Sequence, residues 1–434
     1  MVIKNNSRNI KDTSVNPQII TSLDLGTSKI CSIIASPGDT SNSISILGIG
    51  ITESDGCLNR GEVRNIDKTV ETIERVIEQS QQQSGIEIKD VIVGIAGDHI
   101  ESFQSKGTIT VSDPSRIISK KDVQRALLDS KNIRLANERK IIHAIPQEYI
   151  IDGLDGVIDP IGMSGVRMEA NVHIVTGHSP AIDNIFRCVE KLNINVKDIV
   201  LEPIASSYAV LDDEEKEVGV VLIDIGGGTT DIAIFEENAI RYTKVIALAG
   251  KQVTDDIHKI LGTTRLQAER IKKEYGHCYL SSIMNNEIFM VPGISGRKPL
   301  EVSKSELCQI IQPRMEEIYE FAREEIRRSG FTNRLGAGLV ITGGCSMLRG
   351  ADELAQEIFG MPVKIGIPSG ISYSGLAQEV ENPIYSTAVG LALYGMKHQS
   401  YYFQNKDDSE TKDTNNKPKK RSFFGSIKKI LEEL

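Results

Sequence analysis

Residues 221–235 read VLIDIGGGTTDIAIF. An apolar strand ends at Asp224, and one apolar residue, three glycines and two threonines lead into a second apolar strand. Two hundred residues earlier, residues 22–34 read SLDLGTSKICSII, with the same order of apolar strand, Asp24, apolar residue, Gly26, polar turn and second strand. A third strand follows each copy, ISILGIGI at 44–51 and YTKVIALAG at 242–250. Two copies of one β-meander predict two related lobes.

The turns have the chemistry of a triphosphate site. Gly26, Gly226, Gly227 and Gly228 let the backbone approach an anion and aim N–H groups at it. Thr27, Ser28, Thr229 and Thr230 add hydroxyl donors. Asp24 and Asp224 would repel phosphate directly. They make sense beside a bridging Mg²⁺, which keeps several waters and takes one or two carboxylates. One such turn alone reads equally well as an Asp-Gly hairpin turn, but two copies and a triple glycine favour the phosphate clamp. A third stretch, LVITGGCSMLRG at 339–350, is a buried strand, a Gly-Gly turn and a helix beginning near Ala351. Glycines there would let a flat base and ribose lie against the backbone.

Composition narrows the alternatives. The 434 residues suggest about three domains, or two lobes with insertions. Hydrophobic residues are 40% and charged residues 25%, as in ordinary globular proteins. Lys plus Arg number 50 against 59 Asp plus Glu, a net charge of -9 that argues against nucleic acid as a partner. No apolar run reaches the length of a spanning helix, and residues 1–18 lack a signal-peptide core. Six scattered cysteines form no CxxC pair, and no HExxH, GxxxxGK[ST], GxGxxG or GxSxG motif is present.

Along the chain, strands are predicted over 19–34 and 44–51 and a helix over 63–84, with Ile66, Val70, Ile73 and Ile77 on one face. From 88 to 170 the texture turns to β alternation around one helix at 120–132. Helices are expected at 179–192 and 304–328, the latter opened by a Ser303–Glu306 capping box. Strands are expected at 198–201, 218–225 and 337–342, and Asn382-Pro383 opens a late helix ending near Gln399.

LDLGTSK, LIDIGGGTTD and ITGGCSMLRG resemble the two phosphate motifs and the adenosine motif of the actin, sugar kinase and heat-shock-70 superfamily. The resemblance implies ATP and Mg²⁺ as cofactors. It places Asp24, Gly26, Thr27, Ser28, Lys29, Asp224, Gly226, Gly227, Gly228, Thr229, Thr230, Gly343, Gly344 and Met347 at the nucleotide, with Asp24 and Asp224 facing Mg²⁺ through water. LEPIASSY at 201–208 resembles the first connecting helix, whose EP motif carries a water-positioning glutamate in some members. Glu202 matches it as a candidate catalytic residue; a Glu-Pro helix start explains it equally well.

Within that superfamily the chain resembles the bacterial cell-division family FtsA, from about 19 to 399 and again at the C-terminus. The β-rich segment sits where that family inserts its 1C subdomain. GKQVTDDI at 250–257 and AERIKKEYG at 268–276 also resemble it, making Glu269 and Lys272 candidate base or ribose contacts. GISGRKPL at 293–300 resembles the loop near the family's site for the FtsZ C-terminal tail, with Arg297 and Lys298 as candidate contacts or as a plain solvated turn.

The expected fold class is α/β: an actin-like two-lobed nucleotide-binding fold with an inserted β-rich subdomain and a C-terminal amphipathic helix. The expected order is an N-terminus at 1–18 and lobe I at 19–87, 171–198 and 365–402, with the insert at 88–170. Lobe II takes 199–243 and 304–364, with an upper subdomain at 244–303. A polar tether at 403–418 leads to KKRSFFGSIKKILEEL at 419–434. There Phe423, Phe424, Ile427, Ile430, Leu431 and Leu434 share one helical face, while Lys428 and Lys429 lie opposite. That pattern describes an interfacial helix on anionic membrane lipid, or else a terminal helix packed on protein. The resemblance implies a scaffold at the division site, on the cytoplasmic face of the inner membrane. It would bind FtsZ, itself as an actin-like filament, and later division proteins, with slow ATP turnover at most. A pilus-assembly or cell-shape actin homologue and a small-molecule kinase are the competing readings.

Overall fold

The computed structural model describes residues 18–398 apart from positions 41, 137 and 295. The tether and the amphipathic helix expected at 419–434 lie outside the described residues.

The chain opens with the antiparallel strands β1 (Ile20–Leu25), β2 (Lys29–Pro37) and β3 (Ile44–Glu53). A small ribbon, β4 (Leu58–Asn59) and β5 (Glu62–Val63), precedes helix α1 (Ile66–Ser84). The helix starts three residues later than expected because Asn65 caps it, its side chain accepting from the Lys68 N–H at 3.0 Å. Next comes β6 (Asp90–Ile95), the VIVGI run that its sequence groups with the insert. It belongs instead to the first sheet, parallel to β1. A short apolar run buried on both faces carries no signal of which sheet it joins.

The inserted sheet follows. It comprises β7 (Glu101–Thr110), helix α2 (Lys120–Ser130), β8 (Arg139–Ile151), β9 (Leu154–Val157) and β10 (Arg167–His178), in the antiparallel order β7-β10-β8-β9. It has its own core around Leu127, Tyr149, Met168 and Val172. The chain returns through α3 (Ser179–Glu190) and β11 (Asn195–Leu201), then crosses to the second lobe in α4 (Glu202–Val210).

The second lobe runs through α5 (Asp213–Val218), β12 (Val220–Ile225), β13 (Thr230–Glu236), β14 (Ala239–Ile246), α6 (Gly250–Ile260) and α7 (Arg265–Tyr275). A ribbon of β15 (Ile288–Val291) and β16 (Leu300–Ser303) leads into the long α8 (Lys304–Ser329). The capping box at its start is formed: Ser303 N–H donates to Glu306 at 2.7 Å and Glu306 N–H to Ser303 Oγ at 3.3 Å. Then come β17 (Gly338–Thr342), α9 (Ala351–Phe359) and β18 (Val363–Ile365). Finally β19 (Ile371–Gly375), α10 (Ala377–Val380) and α11 (Ser386–Lys397) return to the first lobe.

The repeat read in the sequence is a repeat of topology. The first sheet has the order β11-β6-β1-β2-β3-β19 and the second β14-β13-β12-β17-β18. Without the added β19, each is third, second, first, fourth, fifth strand in order of appearance. β1 and β12 are the central strands, and every residue of both is buried. The crossing helices α4 and α11 pack on one another between the sheets, so both meanders aim their first turns at the same gap.

Candidate functional site

The two turns meet tip to tip. A Cβ on Gly227 would fall 1.9 Å from Ser28 Oγ, and one on Gly228 would fall 2.3 Å from Thr27 Oγ1. Only glycine lets the second turn come so near the first. Each turn is also held from behind. Ser54 Oγ donates to Gly26 O at 2.6 Å, and the Gly61 N–H donates to Thr27 Oγ1 at 3.2 Å. The Gly226 N–H donates to Thr229 O at 3.0 Å, and Thr230 Oγ1 to Leu248 O at 2.7 Å.

Behind the tips lies a cluster of carboxyls. Asp24 is buried and takes an ion pair from Lys29 at 2.5 Å. Burial alone would strip Lys29 of its charge, but Asp24, helped by Cys31 and Glu202, overrides it and raises the ammonium pKa. Asp224 accepts from Ser206 Oγ at 2.7 Å and Thr387 Oγ1 at 3.3 Å, so both crossing helices supply it a hydroxyl. Burial raises its pKa, with Asp24 adding and those hydroxyls opposing. Glu202, half-buried at the start of α4, lies over Gly94. Burial, then the negative Asp24, Asp231 and Asp224, hold its carboxyl well above the usual carboxylate range, and Lys29 only partly offsets them.

Asp231, to which the motif reading assigns no role, is part of this cluster. It stands opposite Asp224 in the β12–β13 ladder. One of its oxygens accepts from Thr229 Oγ1 at 3.0 Å; the other, Oδ1, is buried without a hydrogen-bond partner. Burial and Asp224 push its pKa well up. The available signal was an aspartate inside an otherwise apolar strand. Four carboxyls and one ammonium leave this region short of positive charge.

The third motif closes the second turn. Gly343 adopts φ 81°, and a Cβ there would sit 2.3 Å from Asp224 Oδ1. The Gly-Gly turn continues as a short 3-10 turn over Gly344–Met347 before α9. Buried Cys345 directs its thiol at Gly226 O, 3.6 Å away, while Gly344 and Met347 are exposed. On α7, Glu269 and Lys272 pair at 2.7 Å, and Lys272 Nζ also donates to Gly250 O at 3.1 Å, beside the second turn. Burial would raise the Glu269 carboxyl, but Lys272 outweighs it and holds the pKa below the usual value. Arg297 and Lys298 are exposed in the loop joining β15 to β16. Phe423, Phe424, Ile427, Lys428, Lys429, Ile430, Leu431 and Leu434 lie outside the described residues. Among those described, no helix is long and apolar enough to cross a membrane.

Residues 221–390 match the family model "Cell division protein FtsA", and residues 97–176 match "SHS2 domain inserted in FTSA". The cell-division protein FtsA of Pseudomonas aeruginosa is 44% identical over 384 residues, covering 88% of this chain and 90% of the relative. That of Neisseria meningitidis is 41% identical, covering 86% and 89%. Among solved structures, a PilM–PilN type IV pilus biogenesis complex superposes with a TM-score of 0.63 at 16% identity, covering 87% of this chain and 98% of its own. MreB5 of Spiroplasma citri bound to AMPPNP superposes with a TM-score of 0.53 at 16% identity, covering 90% and 99%. These two likenesses establish an actin-like fold and nothing finer. The extent of the sequence matches, together with the paired meanders and the inserted sheet, establishes that the chain belongs to the FtsA family of bacterial cell-division proteins.

Proposed function

We propose that the chain binds ATP with Mg²⁺ between the two hairpins and acts as a scaffold tethering FtsZ filaments to the cytoplasmic face of the inner membrane at the division site. The observation that carries the nucleotide reading is the convergence of two glycine-tipped turns on a charge-deficient cluster of carboxyls. The residues suit a hydrated divalent ion beside phosphate. Asp231 keeps an unpaired buried oxygen, and Asp224 is met by the hydroxyls of Ser206 and Thr387. Among the described residues no three His, Cys, Asp or Glu side chains converge tightly enough to hold an ion by themselves, so waters and phosphate oxygens would complete its shell. Mg²⁺, when bound, would neutralise phosphate charge between the lobes. Asp24 and Asp224 would orient its waters, the turn amides and hydroxyls would hold phosphate, and Lys272 and Glu269 would line the base and ribose side with Gly343, Gly344 and Met347. Glu202, with its raised pKa and place in the cluster, would position the attacking water in slow turnover.

Outside the cleft, the apolar face of 423–434 would insert into anionic lipid, with Lys428 and Lys429 facing headgroups. One short helix binds weakly, so assembly of the chain with copies of itself would multiply the affinity. Arg297 and Lys298 would meet the acidic FtsZ tail, and the inserted subdomain would recruit later division proteins. The deciding experiment is liposome pelleting with and without residues 420–434, and with Phe424→Glu, which forfeits roughly 1.5–3 kcal/mol of apolar burial. Pelleting should require the tail and fail in the variant while calorimetric Mg-ATP binding persists. Pelleting without the tail would overturn the tether.

A further inference from the structure

The inserted sheet spans the open edges of both lobe sheets. β11 is an edge strand of the first sheet and β14 an edge strand of the second. An open edge carries backbone groups that need partners, and here the insert supplies them from side chains. On the first sheet, His143 of β8 accepts a hydrogen bond at Nε2 from the Leu201 N–H, 3.0 Å away. Leu201 ends β11 and is the residue from which α4 starts, immediately before Glu202. No side chain caps α4.

On the second sheet, four residues of the same insert reach β14. Ser102 Oγ donates to Thr243 O at 2.8 Å, Gln104 Nε2 to Arg241 O at 3.0 Å and Gln147 Nε2 to Ile240 O at 2.6 Å. His173 Nε2 lies 2.9 Å from Thr243 Oγ1, and its Nδ1 lies 3.4 Å from Gln104 Nε2. Because an amide NH₂ only donates, Nδ1 accepts and Nε2–H donates to the threonine, which fixes the tautomer. Ile145 faces His173 and His143 faces Val175 in the β8–β10 ladder, so the two histidines share one face of the inserted sheet. Both are buried.

We propose that the inserted subdomain is a cross-brace between the lobes: His143 is a positioning residue for the Glu202 helix, and the Ser102–Gln104–Gln147–His173 row holds the second lobe to the same sheet. The catalytic half of this inference rests on the reading of Glu202 given above; the mechanical half does not. A shift of about 1 Å at a catalytic group can cost on the order of a hundredfold in rate. A brace that joins β11 to β14 sets the separation of Glu202 from the β12–β13 turn.

The test compares four variants of the full chain. His143→Leu keeps apolar packing and removes the acceptor; kcat for Mg-ATP should fall about tenfold or more with KM within about twofold. His143→Gln restores an acceptor and should recover most of that loss. Equal loss in both, or a changed KM with unchanged kcat, would overturn the positioning role. Glu202→Gln is run alongside: unchanged turnover there sinks the catalytic reading itself. Hydrogen exchange then decides the brace alone. Gln104→Leu with Gln147→Leu should speed exchange at residues 240–243 by about tenfold or more, with β12 unchanged. Unaltered exchange at 240–243 would overturn the brace.

Discussion

The two hairpins share a backbone plan and differ in charge. Asp24 and Cys31 face each other across the first ladder, as Asp224 and Asp231 do across the second. In the first, the acid is answered within the turn by Lys29, and its cross-strand neighbour is a thiol. The position of Lys29 is taken in the second by Thr229, which hydrogen-bonds Asp231, and the cross-strand neighbour is a second acid. The first hairpin is therefore electrostatically closed, and the second has an unmet demand for a cation. The two ladders thus share their register and differ in the charge they carry, and under the proposed function the second would make the larger demand on the ion.

The largest expected effect comes from the tips. Gly227→Val places a branched side chain where Ser28 already stands, and Mg-ATP affinity measured calorimetrically should fall about a hundredfold or more, near 3 kcal/mol. Wild-type affinity would mean that the tips separate freely and that their contact is incidental. Asp224→Ala comes next. Loss of a carboxylate that orients metal waters costs roughly 10–100-fold, and a Mg²⁺ titration at fixed ATP should shift by that factor. An unshifted titration would remove Asp224 from the ion and break the asymmetry.

A third prediction concerns pH. Asp224, Asp231 and Glu202 have folded pKa values above their unfolded ones, so the folded state holds extra protons from about pH 4 upward. Their contribution to the stability of nucleotide-free protein is complete below that range and is lost as pH rises through the raised values. The melting temperature of Asp231→Asn should therefore lose less than wild type between about pH 5 and 8, gaining a few degrees at the upper end. Parallel melting curves would show that Asp231 does not carry this proton. The smallest effect is expected from Ser28→Gly, which removes one hydroxyl donor and leaves the turn amides in place; calorimetric Mg-ATP affinity should fall about tenfold, roughly 1.4 kcal/mol.

The turns were legible because they concentrate rare chemistry. Glycines, hydroxyls and an aspartate between apolar strands admit few readings, and two copies admit fewer. Asp231 was harder, since one acid at the inner end of a motif resembles a strand residue until the ladder puts it opposite Asp224. Ser206 and Thr387 were beyond reach: they lie 181 positions apart and meet only because α4 and α11 cross. His143 and His173 were equally silent. A histidine in a β-textured segment has no periodic signature, and its partners are backbone groups whose position only the assembled fold decides. The assignment of β6 went astray for the related reason that strand texture does not encode sheet membership.

The first lobe is stitched shut across most of the chain: Ser22 Oγ on β1 donates to Ala388 O on α11, 366 positions later, at 2.8 Å. The second sheet is built from one unbroken stretch, β12 through β18. Ribosomes release about 5–20 residues per second, so β1 waits roughly 20–70 s for its closing helix. The lobe that is synthesised first is thus completed last, after the second lobe has had its whole sheet available. In the interval the apolar strands β1 and β2 lack the cover that α11 provides, and uncovered apolar strands of this kind favour aggregation of a nascent chain.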